Sequence, residues 1–214
     1  MCYSAKASLI AWWILALMFL FLWYRNEKYD RVIAAFVLTL GLIQLLEYGI
    51  HSGVNPDQSG RAIFITLWLQ CLVLAIGTYI YLKNIWSIIL LIIFAVVFLG
   101  ALIYAFLGSN NFTASVGESN HIEWYLNGGP ILGNFGWVYI LGIFLPLLLI
   151  LAGLGWTDAG ILILILYGII SAVYIAMYFP SAAFASMWCY VTVGFAFLAW
   201  MIGIFSTMKP NSFD

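Results

Sequence analysis

Charge is scarce in this sequence. Lys and Arg together number 7 and Asp and Glu 8 among 214 residues, 7% in all, where soluble domains carry about 25%. So few charges cannot coat a water-soluble surface. The net charge of -1, with no basic tract, gives no sign of a nucleic-acid partner, and none is expected. Histidine occurs twice, as His51 and His121, so a three-histidine zinc site is excluded, and no HExxH stretch is present. Three cysteines, Cys2, Cys71 and Cys189, exclude a disulfide-rich scaffold and leave room for one pair. No small-residue cleavage site follows the first apolar run, which is therefore expected to stay as a membrane helix.

Apolar length is abundant: 66% of residues are hydrophobic. A helix needs about 20 apolar residues to cross a hydrocarbon core. Segments near 7–24, 32–51, 62–82, 86–107, 137–155, 159–179 and 187–207 meet that length. They predict an all-α integral membrane protein, multi-pass, a seven-helix bundle forming one domain over 1–214 and surrounded by membrane lipids. The seven basic residues flank these spans unevenly. Arg25, Lys28, Arg31, Lys83 and Lys209 fall on one side, Lys6 and Arg61 on the other. The positive-inside rule then sets the C-terminus in the cytoplasm and the N-terminus outside. A long outer loop, 108–136, has neither Lys nor Arg and contains the sequon Asn111-Phe112-Thr113. Its Gly-Gly-Pro and aromatic residues predict packing back on the bundle. Trp23, Tyr24, Trp86 and Trp156 are expected at the inner interface, and Trp124, Trp137 and Trp188 at the outer one. Seven spans suggest a retinal protein, but the last span has no lysine for a Schiff base, since Lys209 lies beyond it.

Polar residues inside the spans gather at the outer end. In GLIQLLEYGIH, Gln44, Glu47 and His51 are spaced by three and four and share one helix face. Glu47 lies roughly 6 Å, one turn, inside the end of its span. An ionisable group in a span costs about 2.5–3.5 kcal/mol on insertion scales and is a functional candidate by default. The competing reading is a protonated or helix-bonded structural carboxylate, with Gln44 as interhelical glue. Asp57, Glu118, Glu123, His121 and Cys2 are placed on the same outer side, with Cys189 at the start of the last span, and Gln70 and Cys71 lie deeper. SNHIEWYLNGG also reads as an amphipathic turn anchored by Trp124.

Four stretches resemble one another's counterparts in a known group. MCYSAKAS at the start, Gln44-x-x-Glu47, His121-Ile122, and Ser186-x-Trp188-Cys189 together resemble uncharacterised multi-span membrane proteins of bacteria and large DNA viruses that start Met-Cys-Phe/Tyr-Ser-Ala. The resemblance runs the length of the chain in order and gives His51 no counterpart. It implies a shared site rather than an activity.

The polar set predicts an outer-half pocket centred on Glu47 that binds, senses or transports a small molecule, cation or proton, with Gln44, His51, His121, Glu123 and Trp188 as its lining. A membrane-embedded enzyme on a lipid-like substrate is the alternative. Cys2 or Cys189 would be the nucleophile, His121 its base, and Glu47 the acid or orienter. Cys2, His121 and Cys189 would equally suit zinc or copper, and Cys2 could pair with Cys189. A purely structural envelope component, and an oligomer, stay open.

Overall fold

The computed structural model describes residues 4–26, 29–107, 110–117, 122–131, 136–153, 159–178, 191, 193–198 and 201. Within them lie helices α1 (Ala5–Arg25), α2 (Asp30–His51), α3 (Pro56–Leu82), α4 (Ile85–Leu107), α5 (Gly136–Gly153) and α6 (Ala159–Tyr178). Strands β1 (Phe112–Val116), β2 (Ile122–Leu126) and β3 (Gly129–Pro130) join α4 to α5. Residues 191 and 193–198 are also helical. α1 to α5 are each long and apolar enough to cross a membrane, so the chain is a helical membrane protein. The expected span 187–207 falls mostly outside the described residues.

Polar residues punctuate the apolar runs. Ser4 Oγ accepts from Ala7 N at 3.2 Å and starts α1. Asn26, at φ 51, ends it with a left-handed residue. Arg25 then holds Asp30 through two bonds of 2.6 and 2.5 Å, closing the turn into α2. α3 begins at Pro56, six residues before the sequence expectation. Asn55 Oδ1 caps Asp57 N and Gln58 N at 2.9 and 3.3 Å, and Pro56 occupies the first helical position. Six polar or small residues of helix therefore precede the apolar run.

Side-chain contacts fix the helix directions. Gly41 lies against Trp12 and Leu15, and Arg25 against Asp30, so α1 and α2 are antiparallel. Gly77 meets Val32 and Gln70 meets Thr39, so α2 and α3 are antiparallel too. Arg61 bonds the Ala105 carbonyl while Phe64 packs on Tyr104, which sets α4 antiparallel to α3. α5 runs parallel to α3, because Cys71 meets Tyr139, Thr78 meets Pro146 and Leu82 meets Gly153. The last helical stretch packs on α2 through Phe195 and Phe36, with ring centroids 5.7 Å apart. Arg25, Arg31 and Lys83 thus share one end of the bundle, and Lys6 and Arg61 the other.

The long loop, expected to pack back on the bundle with an amphipathic turn at SNHIEWYLNGG, holds a three-stranded antiparallel sheet, ordered β1-β2-β3. Asn127 and Gly128, at φ 51 and 81, form the two-residue loop between the paired Leu126 and Gly129. Two positive φ values in succession make the primed turn that Asn-Gly favours. Asn127 also fastens the tip. Its Oδ1 accepts from Asn111 N at 2.9 Å, and its Nδ2 reaches Asn110 Oδ1 at 3.1 Å. The inner face, Phe112, Ala114, Ile122 and Trp124, is buried, and β1 lies against α3, where the Phe64 and Phe112 ring centroids are 5.2 Å apart. Trp124 is 1% exposed. It belongs to the core and is not the interfacial anchor expected, because strand alternation turns it inward. Trp137 is 78% exposed, while Trp156 and Trp188 lie outside the described residues.

Candidate functional site

Two buried polar layers cross the bundle, and their hydrogen bonding separates them. The deeper layer joins three helices. Tyr139 Oη donates to Gln70 Oε1 at 2.5 Å, Gln70 Nε2 donates to the Thr39 carbonyl at 3.4 Å, and Thr39 Oγ1 donates to the Phe36 carbonyl at 2.7 Å. Further along the α3–α5 seam, Thr78 Oγ1 lies 3.4 Å from the Pro146 carbonyl. These groups are satisfied by protein, as a helix-to-helix clamp in a membrane requires. Gln70 was read in the sequence as deep polarity. Tyr139 was not singled out, since it is one of 13 tyrosines and only its burial against α3 marks it.

The second layer lies nearer the sheet and is different. Gln44 is completely buried, yet neither its Nε2 nor its Oε1 has a hydrogen-bond partner among the described residues. Glu47, one turn along α2, is also completely buried, and it is engaged in an interaction, as is His51 at the half-buried end of the helix. A third residue joins them. In the antiparallel α1–α2 pair, Gly41 faces Trp12 and Leu15, so one turn onward Ser8 comes level with Gln44 and Glu47. Ser8 continues the buried α1 stripe of Ala11, Leu15 and Leu22, is itself 0% exposed, and its Oγ has no partner among the described residues. Sequence reading missed Ser8 because one serine in an apolar run carries no signal until the facing helix is known.

An unpaired buried polar group costs about 1–3 kcal/mol. Here three such atoms, one hydroxyl and both ends of an amide, lie at the depth of a buried carboxylate. Trp124 Nε1, on the sheet that closes this end, is likewise buried without a partner among the described residues. The arrangement offers donors and acceptors that no described side chain uses.

The same α2 face faces the last helical stretch. Phe36 and Leu40 line a contact with Val191 and Phe195, and Gln44 follows Leu40 by one turn on that row. Cys2, His121, Trp188 and Cys189 lie outside the described residues. Glu123 is placed apart from Gln44 and Glu47. Strand alternation puts it on the face of β2 opposite Trp124, where its carboxylate accepts from Tyr125 Oη at 2.6 Å. That bond, first, and then desolvation raise the Tyr125 phenol above its ordinary pKa. The described cysteine, Cys71, is a buried free thiol in the α3–α5 seam. No group of three His, Cys, Asp or Glu side chains suited to a metal occurs among the described residues.

These features define a class: a helical membrane protein with a satisfied polar clamp at mid-bundle and, beneath a β-sheet cap, a second buried polar layer in which Ser8 Oγ and the Gln44 amide have no partner among the described residues. Comparison of the chain with protein-family models, curated proteins and solved structures returned no match.

Proposed function

We propose that the protein binds a small polar molecule, cation or proton in the layer formed by Ser8, Gln44 and Glu47, as a receptor or transporter. One observation carries the reading: Gln44 is wholly buried, neither amide end has a hydrogen-bond partner among the described residues, and buried Glu47 lies one helical turn away. Such a group destabilises the bundle unless something outside the described residues uses it. The oxygens of a hydroxyl, an amide and a carboxylate suit a hard cation or a protonated ligand. The resemblance to Met-Cys-Phe/Tyr-Ser-Ala membrane proteins supports the same residues through Gln44-x-x-Glu47. The covalent and metal alternatives depend on Cys2, His121 and Cys189, and no described residue adds support to them.

Two variants test the site. In proteoliposomes carrying proton, sodium or potassium gradients, Glu47→Gln should reduce flux at least tenfold. Absence of flux under every gradient rejects transport and leaves binding. Gln44→Leu in detergent, without added ions, should match or exceed the stability of the parent, because it removes a buried amide that has no partner among the described residues. A loss of more than about 1 kcal/mol, the size of an ordinary hydrogen bond, makes Gln44 a structural residue and rejects the site.

The seven-span topology with an outer N-terminus belongs to the same proposal. It is supported by the sharing of one end by Arg25, Arg31 and Lys83, opposite the sheet. Ser115→Cys, on the exposed face of β1, in a Cys2→Ser/Cys189→Ser background, should react with a membrane-impermeant maleimide in intact cells. Reaction only after permeabilisation inverts the topology.

A further inference from the structure

A groove of about 670 Å³ opens at the basic end, away from the polar layer, between α1 and α3 with α2 as its floor. Its volume is in the range of small-ligand sites, about 300–1,000 Å³. Its walls divide sharply by chemistry. Ala35, Val73, Ile76 and Ile80 make an apolar trough, and Arg31, at the start of α2, and Lys83, just past the end of α3, line its mouth at the basic end. From Val73 to Lys83 is ten residues of α3, about 15 Å at the helical rise. That is half of a hydrocarbon core about 30 Å thick, the depth of one leaflet.

Among the described residues, no ion pair engages the charges at the mouth. Arg25, the third cation nearby, is taken up by Asp30 through its bidentate pair. Among the described residues neither Arg31 nor Lys83 faces a carboxylate in an ion pair. Arg31 instead lies 5.6 Å from the centroid of the Trp23 ring, which holds the guanidinium at the groove wall. Lys83 occupies the left-handed cap of α3, at φ 48, which directs the chain away and leaves the residue exposed. Trp23 and Tyr81 supply amphipathic rings at the headgroup depth.

We infer that this groove binds an anionic phospholipid of the leaflet at the basic end, with its phosphate between Arg31 and Lys83 and an acyl chain in the trough. Two positive charges at the mouth favour an anionic headgroup over a zwitterionic one, and an apolar trough one leaflet deep fits a chain and not a free phosphate. The site is independent of the Gln44–Glu47 layer.

The test is native mass spectrometry of the whole, delipidated protein in detergent, titrated with phosphatidylglycerol or phosphatidylcholine of matched chains. The parent should retain phosphatidylglycerol about tenfold or more over phosphatidylcholine, as two surface charges would give. Arg31→Gln with Lys83→Gln should bring that ratio close to one, while Lys6→Gln, exposed at the opposite end, should leave it unchanged. Ala35→Trp should reduce retention of both lipids by filling the trough. Equal retention by the parent, or a preference that survives the double variant, overturns the inference. So does full displacement of the lipid by millimolar inorganic phosphate, which would make the mouth a free-anion site.

Discussion

Gly142→Leu should leave the protein unable to assemble, losing about 3 kcal/mol or more as overpacking of a closed core does. The reason is local. A Cβ at Gly142 would stand 2.5 Å from Cys71 Sγ, 2.8 Å from Phe94 Cε1 and 2.9 Å from Cys71 Cβ. Cys71 and Phe94 are themselves buried, at 0% and 4% exposure, so neither has space to retreat into. Lipid tails are as apolar as leucine and give no hydrophobic drive between helices, so close backbone approach through small residues holds the seam together. Gly142→Ala should cost less, and adding Cys71→Ala should recover part of the loss by removing the 2.5 Å contact. Thermal unfolding in detergent measures all three. A Gly142→Leu protein within 1 kcal/mol of the parent would mean that α3 and α5 are not pressed together.

The second large effect is expected at the deeper polar layer. Tyr139→Phe strands Gln70 Oε1, and Gln70→Leu strands the Tyr139 hydroxyl; each should cost about 1–3 kcal/mol, the penalty for a buried group left unpaired. The double variant Gln70→Leu/Tyr139→Phe removes both partners and should be less destabilised than the sum of the singles. Interhelical hydrogen bonds in membranes average only about 0.6 kcal/mol net, so most of each single loss is the orphaned group. Strict additivity in the cycle would show that the two side chains do not bond. The contrast with Gln44 is diagnostic. The same Gln→Leu change should be harmful at 70 and harmless at 44, because one amide is paired by protein and the other has no partner among the described residues.

The helices were legible because apolar length alone specifies them. The Gln44–Glu47 stripe was legible for a similar reason, since its spacing of three is a local property of α2. What escaped the sequence reading depended on partners or on short turn signals. Asn127-Gly128, flanked by inward Ile122, Trp124 and Leu126, is a strong hairpin signature, yet it was overshadowed by the adjoining Gly-Gly-Pro. Asn55-Pro56 marks the start of α3, but the polar Asp57, Gln58 and Arg61 that follow mimic a loop. Ser8 and Tyr139 gain meaning only from the helices they face. Trp124 was assigned to the interface by residue type, and pleat direction overrode that statistic.

The parallel pairing of α3 with α5 has a consequence for the order of assembly. α1 with α2, and α3 with α4, are sequence neighbours that can pair as soon as each hairpin emerges. The Gln70–Tyr139 bond joins residues 69 apart, with α4 and the whole sheet between them. During synthesis the Gln70 amide therefore enters the bilayer before its phenolic partner exists, and it must wait, hydrated or borrowed by Thr39, until α5 arrives. The mid-bundle clamp is the last lock of the first five helices to close, and a nascent chain stopped before Tyr139 carries it open.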